Sequence, residues 1–221
     1  RRRHTRFRNV TGVQTCALPI SAPRHGRAVT RVARTVVVAS GAYDLPNRLG
    51  VPGEDLPHVS HFYREPHAHY RRRVVIVGGK NSAAEAALDL YRAGAHVLLV
   101  HRGETLGDSI KYWVRPDIEN RISEGAIRAR FGTTLSAITP AEVVLAGPQG
   151  EQREPADAVL LLTGYRSDPT LFGRVGARVD AATGAPVCSE TTFETTVRGL
   201  FVIGAAVAGK QSGRIFIENG R

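Results

Sequence analysis

The sequence predicts an α/β fold of parallel sheets in which one compact unit interrupts another. Three observations carry that reading. Strand-like apolar runs alternate with helix-like segments along the 221 residues, the order that builds parallel sheets covered by helices. Arg72 to Leu90, RRVVIVGGKNSAAEAALDL, runs a strand into two glycines and straight on into an Ala/Leu-rich helical pattern. Two strand-then-glycine segments, VVVASG (36–41) and LFVIG (200–204), bracket that stretch, as the halves of a divided domain would.

An apolar content of 42% is enough for a core, and the longest apolar segments, such as Val159 to Leu162, are strand-sized. Nothing in the sequence is long and apolar enough for a spanning helix, so a membrane role has no support. The formal charge of +10 raises the question of nucleic acid, and its placement answers it. Residues 1 to 21 hold five Arg and no acid, so half of the excess sits in that leader. The leader has no apolar core of a signal peptide, and its segment VTGVQTCALPI resembles the in-frame translation of a sequencing-adapter primer. It is read as non-native and expected to pack against nothing, which leaves no nucleic-acid partner. Of the two cysteines, Cys16 lies in the leader and only Cys188 remains. One thiol builds no disulfide framework and no CxxC pair, and this usage suits a reducing cytoplasm.

The elements follow in order. Arg34 to Ser40 is a β-branched strand ending at Gly41, and YDLPNRLGVPGEDLP after it is too rich in Pro and Gly for a regular element, so it reads as a linker. A loop, HVSHFYREPHAHY, leads to a strand at Arg73 to Val77, a helix over about 81–93 and a strand at His96 to His101. Ser82 and Glu85 have the spacing of a capping box, and Gly94 stands where the helix should be closed. Ser109 to Glu124 reads as helix with Pro116 at a kink or second start, followed by strands at Ile127 to Phe131 and Glu142 to Leu145. Asp157 to Thr163 is a buried strand ending in Gly164, and Leu200 to Ile203 is a strand ending in Gly204, with a helix expected near Gly213. The chain stops as that helix develops and reads as cut at both ends.

The chemistry concentrates after Val77. A strand, a tight glycine turn and a helix form the Rossmann unit that holds a pyrophosphate on free helix N–H groups. In the pattern G-x-G-x-x-G/A, Gly78 takes the first place and Ala83 the last, but Lys80 stands at the middle glycine. Gly78, Gly79, Asn81 and Ser82 suit a phosphate, and Lys80 substitutes a cation for bare backbone. The end of the second strand chooses the nucleotide. An NAD site carries Asp or Glu there for the ribose 2′-hydroxyl, whereas VLLVHRGE places His101 and Arg102. A guanidinium forks onto a 2′-phosphate, so the site reads as NADPH-preferring, with His101 and Lys111 as helpers.

These residues carry a resemblance. The segments at 36–63, 74–94, 101–122, 163–172 and 200–221 are similar to the bacillithiol disulfide reductase family, flavoproteins that use FAD and NADPH and are related to low-molecular-weight thioredoxin reductases. GGKNSA and IFIENGR are the more specific motifs; VVVASG and GLFVIG are common to many flavoproteins. The resemblance implies a Rossmann-like flavoprotein with two dinucleotide-binding domains, the NADPH domain at 71–164 inserted in a partial FAD domain at 22–70 and 165–221. It places Ser40, Gly41 and Gly204 at the FAD and adds Thr163 and Gly164 to the cofactor-binding residues. Ala205 stands where many relatives have Asp for the ribityl chain, and the family's first FAD glycine loop with its cysteine has no matching position.

The implied reaction is hydride transfer from NADPH to flavin and reduction of a small disulfide such as oxidised bacillithiol. Residues 71 to 164 contain no cysteine, which separates the chain from thioredoxin reductases proper, and no catalytic residue is assigned. A different thioredoxin-reductase-like flavoprotein and a non-catalytic NADPH-binding module stay as alternatives, and a homo-oligomer is compatible with each. His58, His61, His67 and His69 read as linker residues rather than a metal site, and Cys188 as an inert, half-buried thiol.

Overall fold

The computed structural model describes residues 18–24, 27–43 and 45–214. The chain divides into two compact units, one of residues 48–164 and the other of the segments on either side. The first outer segment holds β1 (Leu18–Arg24), β2 (Arg27–Ala33), β3 (Val36–Val38) and β4 (Leu45–Pro46). β1 pairs antiparallel with β2, setting Leu18 to Ser21 opposite Ala33 to Thr30. The expectation that the leader packs against nothing therefore fails for its last four residues. A two-stranded ladder draws on main-chain groups, and β-branched Ile20, Thr30 and Val32 suit it. Residues 1–17, with Cys16, lie outside the described residues.

The inner unit contains β5 (Val59–Ser60), β6 (Arg73–Val77), α1 (Asn81–Arg92), β7 (His96–Val100), α2 (Arg115–Ser123), β8 (Arg128–Arg130), β9 (Thr134–Ile138), β10 (Glu142–Gly147), β11 (Gly150–Pro155) and β12 (Ala158–Leu161). Five strands make a parallel sheet in the order β5-β12-β6-β7-β8. The period of two in β6 splits its side chains between faces. Val74 and Ile76 pack with Ala83, Ala87 and Leu90 of α1 and Ile118 of α2. Val75 and Val77 pack on Leu135, Val143 and Leu145 from an antiparallel sheet ordered β11-β10-β9. The unit is thus three layers: helices, parallel sheet, antiparallel sheet.

Two boundaries differ from the sequence reading. The unit begins at Arg48, not near residue 71, because the Pro/Gly-rich segment is built into it. Glu54 is buried and accepts the N–H groups of Leu49 and Gly50 at 3.0 and 2.7 Å. Pro52 accepts from the Ile138 N–H at 2.8 Å, a side chain on Gly53 would strike the Ile138 backbone, and Val51 and Leu56 join the core. α2 begins at Arg115 with Pro116 in its first turn, so the segment from Ser109 to Val114 is not helix. Proline suits that place, where its missing N–H would have had no helical partner.

The second outer segment adds β13 (Tyr165–Arg166), α3 (Pro169–Arg174), β14 (Leu200–Val202) and a 3-10 helix over Gly204–Arg214. β14 lies parallel to β3, and β13 antiparallel to β4. Val36, Val38, Phe172, Leu200 and Val202 form this unit's own core. The helix expected to start near Gly213, with the IFIENGR motif at 215–221, lies outside the described residues, and the 3-10 helix precedes that stretch. Among the described residues no helix is long and apolar enough to cross a membrane.

Candidate nucleotide-binding site

The glycine turn sits at the carboxyl end of β6, with β7 hydrogen-bonded on one side and β12 on the other. From that end the chain runs through α1 to β7 on one side, while β12, later in sequence, lies on the other; open α/β sheets bind ligands at such a switch of strand order. The Gly78 N–H donates to the Val100 carbonyl at 3.0 Å and the Leu162 N–H to the Val77 carbonyl at 2.9 Å, drawing all three strand ends together. A Cβ on Gly78 would lie 2.6 Å from the Leu162 carbonyl oxygen and 3.0 Å from the Ala83 Cβ. Both Gly78 and the small Ala83 are therefore demanded by close packing. Gly79 is also required, since any side chain there would enter the His101 ring.

α1 follows with Lys80 as its N-cap and no side-chain capping bond. Ser82 is inside the helix and exposed, and Glu85 pairs with Lys111 at 3.0 Å, so the capping box does not form. A capping residue needs extended backbone before the first turn, which is Lys80's position and not Ser82's. Lys80 accepts from the N–H groups of Ala83 and Ala84, each at 3.1 Å. Among the described residues nothing accepts from the N–H groups of Lys80, Asn81 and Ser82. The far end closes as the sequence suggests: Gly94 has φ +82°, its N–H reaches the Tyr91 carbonyl and the Ala95 N–H reaches Leu90, a Schellman closure.

His101 and Arg102 directly follow β7, at the same carboxyl end of the sheet as the glycine turn. The His101 main chain is pinned at both groups, its N–H to the Arg130 carbonyl at 2.9 Å and its carbonyl to the Thr133 N–H at 3.0 Å. Burial, then the nearby charges of Arg102 and Lys80, pull its imidazole pKa below the ordinary value. Arg102 is exposed and makes no side-chain hydrogen bond or ion pair among the described residues. The next carboxylate, Glu104, is turned toward Gly132. Lys111 lies by the start of α1: its N–H donates to Asn81 Oδ1 at 3.2 Å, its ammonium pairs with Glu85, and Trp113 lies 5.5 Å from it.

Thr163 and Gly164, with φ +95° at Gly164, follow β12 and Leu162 at the same carboxyl end. In the outer unit, Ser40 and Gly41 follow β3, and Gly204 follows β14, with the Ile203 N–H on the Val38 carbonyl at 3.0 Å. The turn from His101 to Lys111 also holds Gly107, whose N–H donates to the Gly79 carbonyl at 2.7 Å. That contact has no sequence signature, because it joins two main-chain groups.

The model of the pyridine nucleotide-disulphide oxidoreductase family matches residues 26–204. The chain belongs to this family. It is 42% identical over 186 residues to the bacilliredoxin reductase Bdr of Bacillus subtilis, across 84% of this chain and 57% of that protein. It thus spans little more than half the length of that relative. The solved bacillithiol disulfide reductase Bdr (YpdA) of Bacillus cereus superposes with a TM-score of 0.92 at 34% identity, covering 99% of this chain and 67% of that one. A thioredoxin reductase of Lactococcus lactis, 18% identical and with a TM-score of 0.76 over 98% of this chain and 70% of its own, shares the fold.

Among the other candidates of the sequence, the partners seen are not part of this glycine turn. His61 meets buried Glu54 at 3.3 Å and His67 meets Glu65 at 3.1 Å, and no cluster fit for a metal exists among the described residues. Burial, then Glu190, raises the Cys188 thiol above its ordinary range.

Proposed function

We propose that the chain carries the NADPH-binding part of a flavin-dependent oxidoreductase that reduces a low-molecular-weight disulfide, with bacillithiol disulfide as the substrate. The observation that carries this reading is the combination of three open N–H groups at Lys80 to Ser82 with an unpaired Arg102 at the end of β7. Free N–H groups at a helix start match a pyrophosphate, and a guanidinium free of acidic partners matches a 2′-phosphate. The name of the Bacillus cereus relative supports the disulfide substrate.

The residues fit the nucleotide. Gly78 and Gly79 keep side chains out of the turn, and the N–H groups of Lys80, Asn81 and Ser82 would hold the pyrophosphate. The Lys80 ammonium neutralises it from beside the helix. Arg102 would grip the 2′-phosphate, with His101 next to it in the chain, while Thr163 and Gly164 border the nicotinamide half. NADPH supplies a hydride when bound. For FAD, Ser40, Gly41 and Gly204 offer glycine-ended strands with open space at both glycines. Ala205 brings no carboxylate to that end, so a ribityl contact of that kind is missing there. The chain is read as working in a reducing cytoplasm.

Titration of the chain with NADPH and NADH tests the reading. NADPH should bind more tightly, and Arg102→Ala should remove the difference. Equal binding of both nucleotides by the unaltered chain would end the assignment. A flavin spectrum of a longer gene product separates an oxidoreductase from a module that only binds nucleotide.

A further inference from the structure

We propose that Arg115 is a positioning residue for the pyrophosphate, acting through Gly107 on the peptide between Gly79 and Lys80. The inference rests on the reading of the turn as a nucleotide site. Arg115 opens α2, and its Nη2 donates to the Gly107 carbonyl at 2.7 Å. The Gly107 N–H in turn donates to the Gly79 carbonyl oxygen at 2.7 Å. Lys111 fastens the same segment at its other end, through its N–H on Asn81 Oδ1 at 3.2 Å. The segment from Gly103 to Lys111 is thereby a strap across the glycine turn.

The strap decides where an amide points. A trans peptide holds its C=O and N–H antiparallel, and the chain has no cis bond among its described residues. Drawing the Gly79 carbonyl to the strap turns the Lys80 N–H to the opposite side, where nothing among the described residues accepts it. Glycine permits either orientation of this peptide at little cost, so local sequence does not choose. The chain Arg115, Gly107, Gly79 chooses, and delivers a donor aimed in advance at the anion. Gly107 has no room to spare, since a Cβ there would sit 3.0 Å from the Gly79 oxygen and 3.3 Å from Lys80 Cγ. The other partners of Arg115, Glu119 at 2.8 Å and Asp108 at 3.9 Å, are half or fully exposed and do not reach the turn.

The test titrates the full chain with NADPH, NADH and 2′-AMP, which has the 2′-phosphate but no pyrophosphate, and records thermal melting. Arg115→Ala should weaken NADPH and NADH by the same factor, roughly tenfold for one lost aimed hydrogen bond, and leave 2′-AMP within about twofold. Arg115→Lys should recover most of the loss, and Glu119→Ala should bind all three like the unaltered chain. Gly107→Ala, which presses on the Gly79 carbonyl from the strap, should reproduce the Arg115→Ala pattern and serves if that variant does not fold. Unchanged nucleotide binding in both the Arg115→Ala and Gly107→Ala variants would overturn the inference while the nucleotide reading stands. So would a loss of 2′-AMP as large as that of NADPH. An unaltered chain that binds none of the three would remove the nucleotide reading and this inference with it.

Discussion

Two glycine-ended strand pairs, one in each unit, look alike on paper and differ in what surrounds them. At the end of β6, side chains on Gly78 and Gly79 would collide with Leu162 and His101, and a strap closes over the turn. At the ends of β3 and β14, Gly41 and Gly204 also have positive φ, +73° and +65°, yet nothing lies within 4 Å of a Cβ on either. The first pair is glycine because space is absent; the second is glycine only because of its backbone. A strand followed by glycine is therefore a weak sign of a site. What supports the proposed reading of the inner turn as a nucleotide site is the open helix start behind it, with no side-chain capping bond, and the basic strand end beside it.

The contrast can be broken most directly by adding a methyl to each turn. Gly78→Ala should cost about 2–3 kcal/mol of stability, because a backbone carbonyl must move. Gly41→Ala should cost about 1 kcal/mol, the strain of a left-handed backbone alone. Denaturant unfolding of both variants measures the gap, and equal costs would erase the distinction. Next in size, Arg102→Ala should weaken NADPH by about 1.5–3 kcal/mol and NADH hardly at all, as expected of a hydrogen bond between charged groups. Isothermal titration reads the difference, and a loss common to both nucleotides would make Arg102 a structural residue.

A smaller effect lies at the opposite end of the same strands. Asp157 accepts from the Arg73 main-chain N–H at 2.8 Å and from its guanidinium at 3.0 and 2.5 Å, joining the start of β6 to that of β12. These bonds hold its carboxyl well below the ordinary carboxylate range. A depressed folded-state pKa adds stability above the unfolded value near 4 and loses it as pH falls through the folded value. Both partners are more than a third exposed, so Asp157→Asn should cost about 1 kcal/mol or less at pH 7, and the cost should shrink in acid. Melting curves from pH 7 down to acid conditions give the trend, and a penalty independent of pH would show that charge has no part in it. The smallest effect concerns His101, whose pKa is lowered by burial and by its cationic neighbours. A bound 2′-phosphate would favour its protonated form, so below the ordinary histidine range NADPH should tighten more in the unaltered chain than in His101→Gln. Parallel pH titrations of the two chains check this, and identical slopes would remove His101 from the phosphate contact.

Much of the inner unit was legible because its signals are local. β6 was read at its observed bounds, α1 and β7 to within a residue at their far ends, and Gly94 as the helix closure. The sheet's second layer was less so. β9 and β11 were not read: TLSAI is short, and GEQREP is polar and exposed along most of its length, held by pairing with β10 rather than by burial. The linker reading failed for a related reason. Irregular backbone can be as firmly built as a strand when one buried carboxylate, Glu54, takes its N–H groups, and a Pro/Gly-rich composition does not reveal that.

By itself the sequence determined that a strand, a glycine turn and a helix stand together, that small residues fill the turn, and that the following strand ends in cations rather than an acid. Those features are set by residue types at fixed short spacings, where sterics and charge act on neighbours. It takes the folded chain to show that Lys80 rather than Ser82 holds the N-cap position of α1, that Lys111 turns to Glu85, and that the Gly79 carbonyl faces Gly107. Each of these depends on a main-chain or side-chain group brought from far along the chain, and a hydrogen bond between two backbones leaves no mark on the residues that make it.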